Sequence, residues 1–403
     1  MKASRLFGIG LSAALVAAAA GQVPFTPGNL VVSQIYDGTS TIATGAASPM
    51  FLVEINITSG AIVQTIPIPT TPNGANHALT VRGSSTSMGH ISRSVDKRFV
   101  TLMGFDAPVG TANVSQTMAV NTGRVVALTD FNGVVDTTTS LSDAYDSTGT
   151  SNQDPRQAVT TNGTDIWTSG VGFPVLSGGA RYTTHGATTS VQLASSPTNT
   201  RCMRIFNGQL YVTSASGSFQ GVCTVGTGLP TNSGDFILLL PGFPTSTGPS
   251  SYDFFFADAN TLYVADDRIV TAGGGVQKWT FDSGLGTWTN VYTLNSGLTA
   301  GCRGLTGRVT RNGTTLWATT ADSVPLIVSV LDTGASSTFT MLAASPAAAG
   351  GTQPLFRGID FTPEGGTPPA CYANCDNSTT SPVLNVLDFG CFLNKFSAGC
   401  SNC

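Results

Sequence analysis

The chain is short of the residues that helical packing, nucleic-acid binding and acid–base catalysis use most. Only 10% of its 403 residues are charged, against roughly 25% in an average soluble domain. It contains two glutamates, four lysines and three histidines, and its net charge is −4. A helical bundle needs Glu, Lys and Leu in quantity, and a nucleic-acid binder needs a basic field. The composition therefore excludes both classes.

What is present points to β-structure. Glycine contributes 47 residues, proline 21, and 41% of the chain is hydrophobic, which excludes an intrinsically disordered protein. A chain rich in Gly, Ser, Thr and β-branched residues and poor in charge is typical of secreted all-β proteins.

The first 21 residues have the form of a secretory signal peptide. Lys2 and Arg5 precede an apolar stretch over residues 6–20, and small residues up to Gly21 provide a cleavage site. The stretch is shorter than the roughly 20 residues that a membrane span needs. We therefore expect a secreted, extracellular or cell-surface protein with no membrane span after signal cleavage.

The eight cysteines fit an oxidising destination and predict disulfide bonds. They fall into two groups of odd size, so that either one bridge joins the groups or two thiols stay free, and the sequence leaves the connectivity open. The first three lie in the body of the chain and the other five in its last 33 residues: Cys202, Cys223, Cys302; Cys371, Cys375, Cys391, Cys400 and Cys403.

A tight turn followed by an aliphatic residue, a Trp or Tyr and a small or β-branched residue recurs along the body. Asn-Gly at several of these turns tolerates positive φ at both positions, as a two-residue hairpin requires. Each copy therefore predicts a joint between two antiparallel strands, and the joints lie 45 to 68 residues apart. The clear copies are 162–168, 207–213, 259–265 and 312–318, and the weaker ones are 28–32 and 96–101.

Four-stranded units at this period are typical of a β-propeller. Residues 252–294 contain one whole unit, with strands at 252–257, 261–265, 276–281 and 287–294. Residues 356–362 form a strand without partners after it, and pairing with 30–34 would close the circle and remove two exposed sheet edges. We predict an all-β, six-bladed (alternatively seven-bladed) propeller over residues 22–362. The alternative is a set of unrelated hairpins in a sandwich or a β-helix.

No catalytic residue can be assigned in this body. His77, His90 and His185 lack metal-ligand spacing, and we expect them to be solvated. There is no nucleophile elbow and no P-loop. Asp258, Asp266 and Asp267 lie near Arg268, either as an ion-paired strand end or as a metal or acid site at the propeller mouth.

Arginine recurs just before several of the turns. A ring of such arginines could bind an anion in a central channel; alternatively, their donors satisfy carbonyls between blades. The positions are Arg93, Arg156, Arg201, Arg303 and Arg357.

Aromatic residues at one repeat position predict packing between blades. Trp279 and Trp288 are less constrained and could instead stack on sugars. The repeat aromatics are Trp167, Tyr211, Tyr263 and Trp317.

The composition changes over residues 363–370, a linker rich in Pro and Gly. In the tail that follows, residues 371–403, Asn385 is a suitable N-cap for a helix with Asp388 at its third position. The helix would carry its apolar face at Phe389, Phe392, Leu393 and Phe396.

Oxygen-bearing side chains alternate before this helix, as in a loop that wraps Ca²⁺. The tail resembles the calcium loop of bacterial dockerin modules, in their Cys-containing form, although it has three extra residues, lacks the turn glycine and holds one loop–helix unit instead of two. The resemblance implies a calcium site and attachment to a cohesin-like or cell-surface protein. A disulfide-pinned helix without metal is the alternative. The implied ligands are Asn374, Asp376, Ser378, Asn385 and Asp388.

Taken together, the sequence predicts a secreted bacterial protein with a monomeric propeller that acts as a non-catalytic binding or scaffold module, attached through its dockerin-like tail, with no nucleic-acid partner. The alternative is an extracellular hydrolase that acts on a carbohydrate or a lactone at the propeller mouth. Dockerin-bearing proteins are often polysaccharide-degrading, which supports the alternative, whereas the shortage of Glu and His argues against it.

Overall fold

Six four-stranded antiparallel sheets surround a common axis in the computed structural model, which describes residues 22–365 and Gly390. Blade 1 consists of Leu30–Ile35 (β1), Met50–Ile55 (β3), Ile62–Pro67 (β4) and Leu355–Phe361 (β26); blade 2 of Ser92–Arg93 (β6), Phe99–Phe105 (β7), Arg124–Asp130 (β8) and Val135–Leu141 (β9); blade 3 of Pro155–Thr160 (β10), Asp165–Gly170 (β11), Arg181–Thr184 (β12) and Val191–Gln192 (β13).

The other three blades have the same order. Blade 4 consists of Met203–Phe206 (β14), Gln209–Ser216 (β15), Phe219–Val225 (β16) and Ile237–Leu239 (β17); blade 5 of Ser251–Asp258 (β18), Thr261–Asp266 (β19), Gly275–Asp282 (β20) and Thr287–Leu294 (β21); blade 6 of Cys302–Thr310 (β22), Gly313–Thr320 (β23), Leu326–Asp332 (β24) and Thr340–Ala344 (β25). Short 3₁₀ helices lie at Val114–Gln116, Val175–Ser177 and Val270–Ala272.

The predicted six-bladed propeller is confirmed, and so is its closure. β26 pairs with β1 in an antiparallel register that joins Leu30 to Phe361 and Ile35 to Leu355. The innermost strands β6, β10, β14, β18, β22 and β26 contact one another in sequence, and β26 contacts β6, which completes the ring. Within residues 22–365 there is no seventh blade. The long interval after the first turn instead holds a two-stranded ribbon of Ala47–Ser48 (β2) and Val81–Arg82 (β5).

The repeated turns lie where the sequence predicts them. Five of them connect the innermost strand of a blade to its second strand, and the sixth precedes β1, the second strand of blade 1. At Asn207 and Gly208 both φ angles are positive, 47° and 73°, as a two-residue hairpin requires. The unit predicted over residues 252–294 corresponds to β18–β21.

Apolar side chains fill each gap between neighbouring blades. The buried residues form six clusters, each with members from one adjacent pair of blades. The four repeat aromatics all lie in these clusters, which confirms their predicted role. Trp279 and Trp288 are also buried there, 5% and 7% exposed, so the sugar-stacking alternative is wrong.

The cysteine prediction is wrong for the body of the protein. Cys202, Cys223 and Cys302 are all free and buried. Cys223 packs between blades 3 and 4 and Cys302 between blades 5 and 6, whereas Cys202 lies near the propeller axis beside His90. Because the three thiols belong to different parts of the core, the fold does not bring them together for bridging.

Two predicted segments lie outside the described residues, apart from Gly390 in the second. These are the signal peptide over residues 1–21 and the tail over residues 371–403, with its five cysteines and its calcium-site residues Asn374, Asp376, Ser378, Asn385 and Asp388. Among the described residues no helix has the length and apolarity to span a membrane.

Candidate functional site

The strand registers define levels along the central channel. Each repeat aromatic of a second strand pairs with one residue of the innermost strand, and these partners occupy one level. Counting three residues back from them, toward the start of each innermost strand, gives a second set of six residues, one from each blade, which we call the entry ring. The residues that pair with the repeat aromatics are Val159, Arg204, Phe255 and Thr306 in blades 3 to 6. In blades 2 and 1 the corresponding residues of the innermost strand are Arg93 and Asp360. The entry ring consists of His90, Arg156, Arg201, Tyr252, Arg303 and Arg357.

Four cations therefore gather where the innermost strands begin. Tyr252 is their common neighbour: the Arg201 guanidinium lies 4.2 Å from its ring centroid and that of Arg303 lies 5.9 Å from it. The rings of Tyr252 and His90, which come from opposite blades, are 5.6 Å apart. The ring of arginines predicted from the sequence thus exists, with four of its five predicted members.

Several donors of the entry ring have no partner. Both ring nitrogens of His90 and the Nε atoms of Arg156 and Arg357 are buried without a hydrogen bond within the described part of the protein. These side chains are 0%, 8% and 4% exposed, respectively. Since a buried polar atom without a partner costs about 1–3 kcal/mol, these atoms need partners from outside the described residues, such as water or a ligand.

Backbone and side-chain oxygens of neighbouring blades satisfy other donors of the ring. Arg156 Nη1 donates to Thr200 O (2.7 Å) and Arg201 Nη1 donates to Ser251 O (2.9 Å). The alternative prediction, that these arginines form hydrogen bonds between blades, is therefore confirmed for Arg156 and Arg201. Arg303 Nε donates to Asp267 (3.2 Å), but the other three ring arginines have no carboxylate within 4 Å in residues 22–365. The ring keeps a surplus of positive charge.

Burial and this charge set the protonation of the ring. Burial lowers the pKa of His90 to about 3, and the positive charges of Arg357 and Arg303 act in the same direction. His90 is therefore neutral at physiological pH, with one nitrogen as donor and the other as acceptor. Burial lowers the pKa of Arg357 to about 10, which still leaves its guanidinium charged at physiological pH.

A segment over residues 83–89, which we call the strap, crosses this end of the channel. Thr86 Oγ1 lies 2.8 Å from the Tyr252 hydroxyl in blade 5, while Ser85 donates to Asp154 (2.9 Å) beside blade 3. Arg82 anchors the start of the strap through two bonds to the same Asp154 carboxylate. At Gly83 a Cβ atom would lie 2.1 Å from the Tyr36 hydroxyl, so this close approach requires glycine.

Three potential metal ligands meet beneath the ring. Ligand atoms of His90, Cys202 and Asp253 lie within 4.8 Å of one another, and all three residues are buried. However, Asp253 already accepts two bonds from Arg204, at 3.0 and 2.7 Å, and burial holds the pKa of the Cys202 thiol well above its usual value. A cation would also meet the field of the entry-ring arginines. These contacts favour an anion over a metal.

Arg204 forms a hub across the channel. Its guanidinium bonds to Asp253, Asp360, Leu305 O and Ser92 Oγ, four partners from four other blades, and uses all its donor atoms. Asp360 belongs to blade 1, directly opposite blade 4. Burial alone would lower the pKa of Arg204, but Asp253 and Asp360 raise it above its usual value. Sequence reasoning missed this residue, although an arginine inside a short apolar strand was a usable signal.

The remaining candidates are not members of the entry ring. Arg93 occupies the level of Arg204, where it bonds to Glu364 (3.0 Å). Asp266 pairs with Arg268 and Asp267 with Arg303, so the ion-paired alternative is confirmed for these two, whereas Asp258 lies in a turn at the other strand end.

The expectation of solvated histidines is wrong for His90, which is fully buried. Its ring lies beside that of Tyr252 in blade 5, and its backbone packs against Gly358 in blade 1. His77 and His185 are partly exposed and lie beside Asp106 and Asp136.

No protein-family model and no curated protein matches the chain. Among solved structures, it is similar to the periplasmic gluconolactonase of Pseudomonas aeruginosa, with 11% identity, a TM-score of 0.44, and coverage of 83% of this chain and 98% of that one. An auxiliary nutrient binding protein from Bacteroides thetaiotaomicron has 13% identity, a TM-score of 0.41 and coverage of 73% and 70%. Hydrazine synthase of Kuenenia stuttgartiensis has 11% identity, a TM-score of 0.39 and coverage of 65% and 68%. At these values the likeness transfers no activity, substrate or site residue.

Proposed function

We propose that this protein is an extracellular binding protein that holds the anionic group of a small solute, a carboxylate or a phosphate, in the entry ring. The observation that carries the proposal is the set of buried, unpartnered donors on His90, Arg156 and Arg357. Two parallel N–H donors of a guanidinium group match two oxygens of a carboxylate or of a phosphate. A neutral His90 adds one N–H donor without adding a charge that would need burial.

Binding of free anions tests the proposal. Isothermal titration of the full mature chain with inorganic phosphate, and separately with succinate, should show one site for at least one of them. Arg357→Gln should weaken binding by about 10- to 100-fold, the effect of losing a charge-assisted hydrogen bond. Arg311→Gln removes the same charge from an exposed turn and should leave affinity unchanged. Absence of binding, or equal loss in both variants, would refute the proposal.

The second candidate is hydrolysis of a carbohydrate or lactone, favoured by the free nitrogens of His90 beside cations that could stabilise an oxyanion. For a lactone, His90 would take a proton from the water that attacks the carbonyl carbon, and would return it to the ring oxygen as the acyl C–O bond breaks, which leaves a hydroxy acid. A group with a pKa of about 3 is a weak general base at neutral pH, which favours binding. Acid release from a sugar lactone in a pH-stat, lost in His90→Gln, would reverse this preference.

The proposal includes attachment to a cell surface through residues 371–403. Its support is the likeness of Asn374, Asp376, Ser378, Asn385 and Asp388 to a dockerin calcium loop. A cohesin-like or other surface protein would be the partner.

A further inference from the structure

The opposite end of the channel contains a cavity of about 490 Å³, within the usual size range of small-molecule sites. We call it the exit cavity. Arg204 and Asp360 lie at its inner limit, and none of the entry-ring residues lines it. The hub therefore separates the exit cavity from the entry ring, so the two places are different sites.

One wall of the exit cavity is aromatic. Phe206 and Phe256 are stacked with centroids 4.7 Å apart, and Phe255 and Phe361 also line the space. Phe255 and Phe206 are only partly buried. At Gly307 a Cβ atom would lie 2.6 Å from the Phe255 ring, so glycine there allows the ring its position. Phe206 and Phe255 therefore offer apolar surface to a ligand, whereas Phe256 and Phe361 are buried behind them, 7% and 5% exposed.

The charged groups of the cavity leave one cation without an ionic partner. Arg93 and Lys97 share Glu364, at 3.0 and 3.7 Å, and Arg204 is occupied by its two aspartates. The Arg308 side chain has no ion pair or hydrogen bond in the described part of the chain, although its backbone pairs with Thr315. Its guanidinium lies over the Phe361 ring, 4.6 Å from the centroid, and 5.9 Å from that of Trp317.

Stacking on these two rings holds the planar guanidinium group of Arg308 in place while its N–H donors stay free. A carboxylate would satisfy the fork with two parallel bonds, and an apolar ring attached to it would lie against the phenylalanine wall. The lining residues include four cations but only two carboxylates, those of Asp360 and Glu364. This excess of positive charge also favours an anionic ligand. From this geometry we infer that the exit cavity binds a small aromatic carboxylate.

Benzoate is the probe for this site. Titration of the full mature chain should show binding of benzoate, while acetate, which lacks the ring, and benzamide, which lacks the charge, should each bind at least tenfold more weakly. Saturating phosphate, which on our proposal binds in the entry ring, should not displace benzoate from the exit cavity. Equal binding of acetate or benzamide would overturn the inference, and so would failure of benzoate to bind.

Variants assign the site to Arg308. Arg308→Gln should weaken benzoate binding by tenfold or more, and Arg308→Lys, which keeps the charge without the fork, should fall between it and the wild type. Arg311→Gln is the matched control, because it removes an exposed positive charge three residues away. Thermal unfolding verifies that each variant folds. Wild-type affinity in folded Arg308→Gln would refute the assignment.

Discussion

Arg204 and Arg357 show how the same side chain has opposite roles at two levels of one channel. Arg204 uses every donor on protein acceptors and faces two carboxylates. Arg357 has only long bonds, at 3.4 and 3.5 Å, to Phe356 O and Gly83 O, and its Nε is unpartnered. A buried charge without partners destabilises the protein that carries it. The first arginine therefore stabilises the fold, whereas the second has donors to spare for the anion that we propose.

This contrast predicts opposite effects of removing the two charges. Arg204→Met should lower the free energy of unfolding by about 3–5 kcal/mol, because it leaves Asp253 buried and uncompensated. Arg357→Met should leave the free energy unchanged or raise it when no binding anion is present. Urea denaturation in chloride buffer measures both. Equal losses in the two variants would contradict the assignment of roles.

His90 predicts a pH dependence of stability. Its pKa of about 3 in the folded protein lies below its ordinary value of about 6.5, so the unfolded chain takes up the proton first as the pH falls. Its contribution to stability is complete above pH 6.5 and is lost on acidification toward pH 3.

The corresponding measurement compares wild type with His90→Gln between pH 6 and pH 4. The free energy of unfolding of the wild type should fall more steeply, by about 1.4 kcal/mol per pH unit. Titrating aspartates act in both proteins, and the difference removes their effect. Parallel profiles would show that His90 is protonated or solvated in the folded state.

At the scale of strands, one hydrogen bond recurs between neighbouring blades. A hydroxyl on the second strand donates to the backbone carbonyl of the entry-ring residue in the next blade: Ser169 to Arg201, Thr213 to Tyr252, and Thr319 to Arg357. The corresponding residue of blade 5 is Ala265, which has no hydroxyl. This hydrogen bond therefore holds the backbone of three of the six entry-ring residues in position.

Thr319→Val should lower the free energy of unfolding by about 1–2 kcal/mol, because Arg357 O loses its buried donor and Gly304 N its buried acceptor while the side-chain shape is kept. The control is Thr340→Val on the exposed outer strand β25, expected within about 0.5 kcal/mol of wild type. Urea denaturation distinguishes them. A Thr319→Val protein as stable as the control would show that the bond contributes nothing.

The strands and turns were predictable because their signals are local. Asn-Gly turns and alternating aromatic strands identify the hairpins, and the odd strand at residues 356–362 indicates closure. The strap was not predictable, since Ser85 and Thr86 are fixed by Asp154 and Tyr252 from distant parts of the chain. For the same reason the arginine pattern indicated a ring, but not the burial of His90 or the hub at Arg204.

The stability of the whole propeller depends on the pairing of β26, near the end of the described chain, with β1, near its start. A chain that ends at Pro354 loses β26 and with it the innermost strand of blade 1, including Phe356 and Ile359 of the core. Its thermal unfolding should lose the cooperative transition, whereas a chain that ends at Gly365 should keep it. Calorimetry of both measures this, and a sharp transition in the shorter chain would contradict the closure.

Calcium binding is predicted for the complete chain. Titration of the wild type should show uptake in the millimolar range typical of weakly charged extracellular sites. Asp388→Ala should weaken uptake and lower the helix content gained with calcium, as measured by circular dichroism. The chain that ends at Gly365 serves as the control without the site. Absence of uptake by the wild type would remove calcium from the proposal.

The bond between Arg204 and Asp360 joins opposite blades directly across the axis. It acts as a crossbar between the entry ring and the exit cavity, which have no lining residue in common among the described residues.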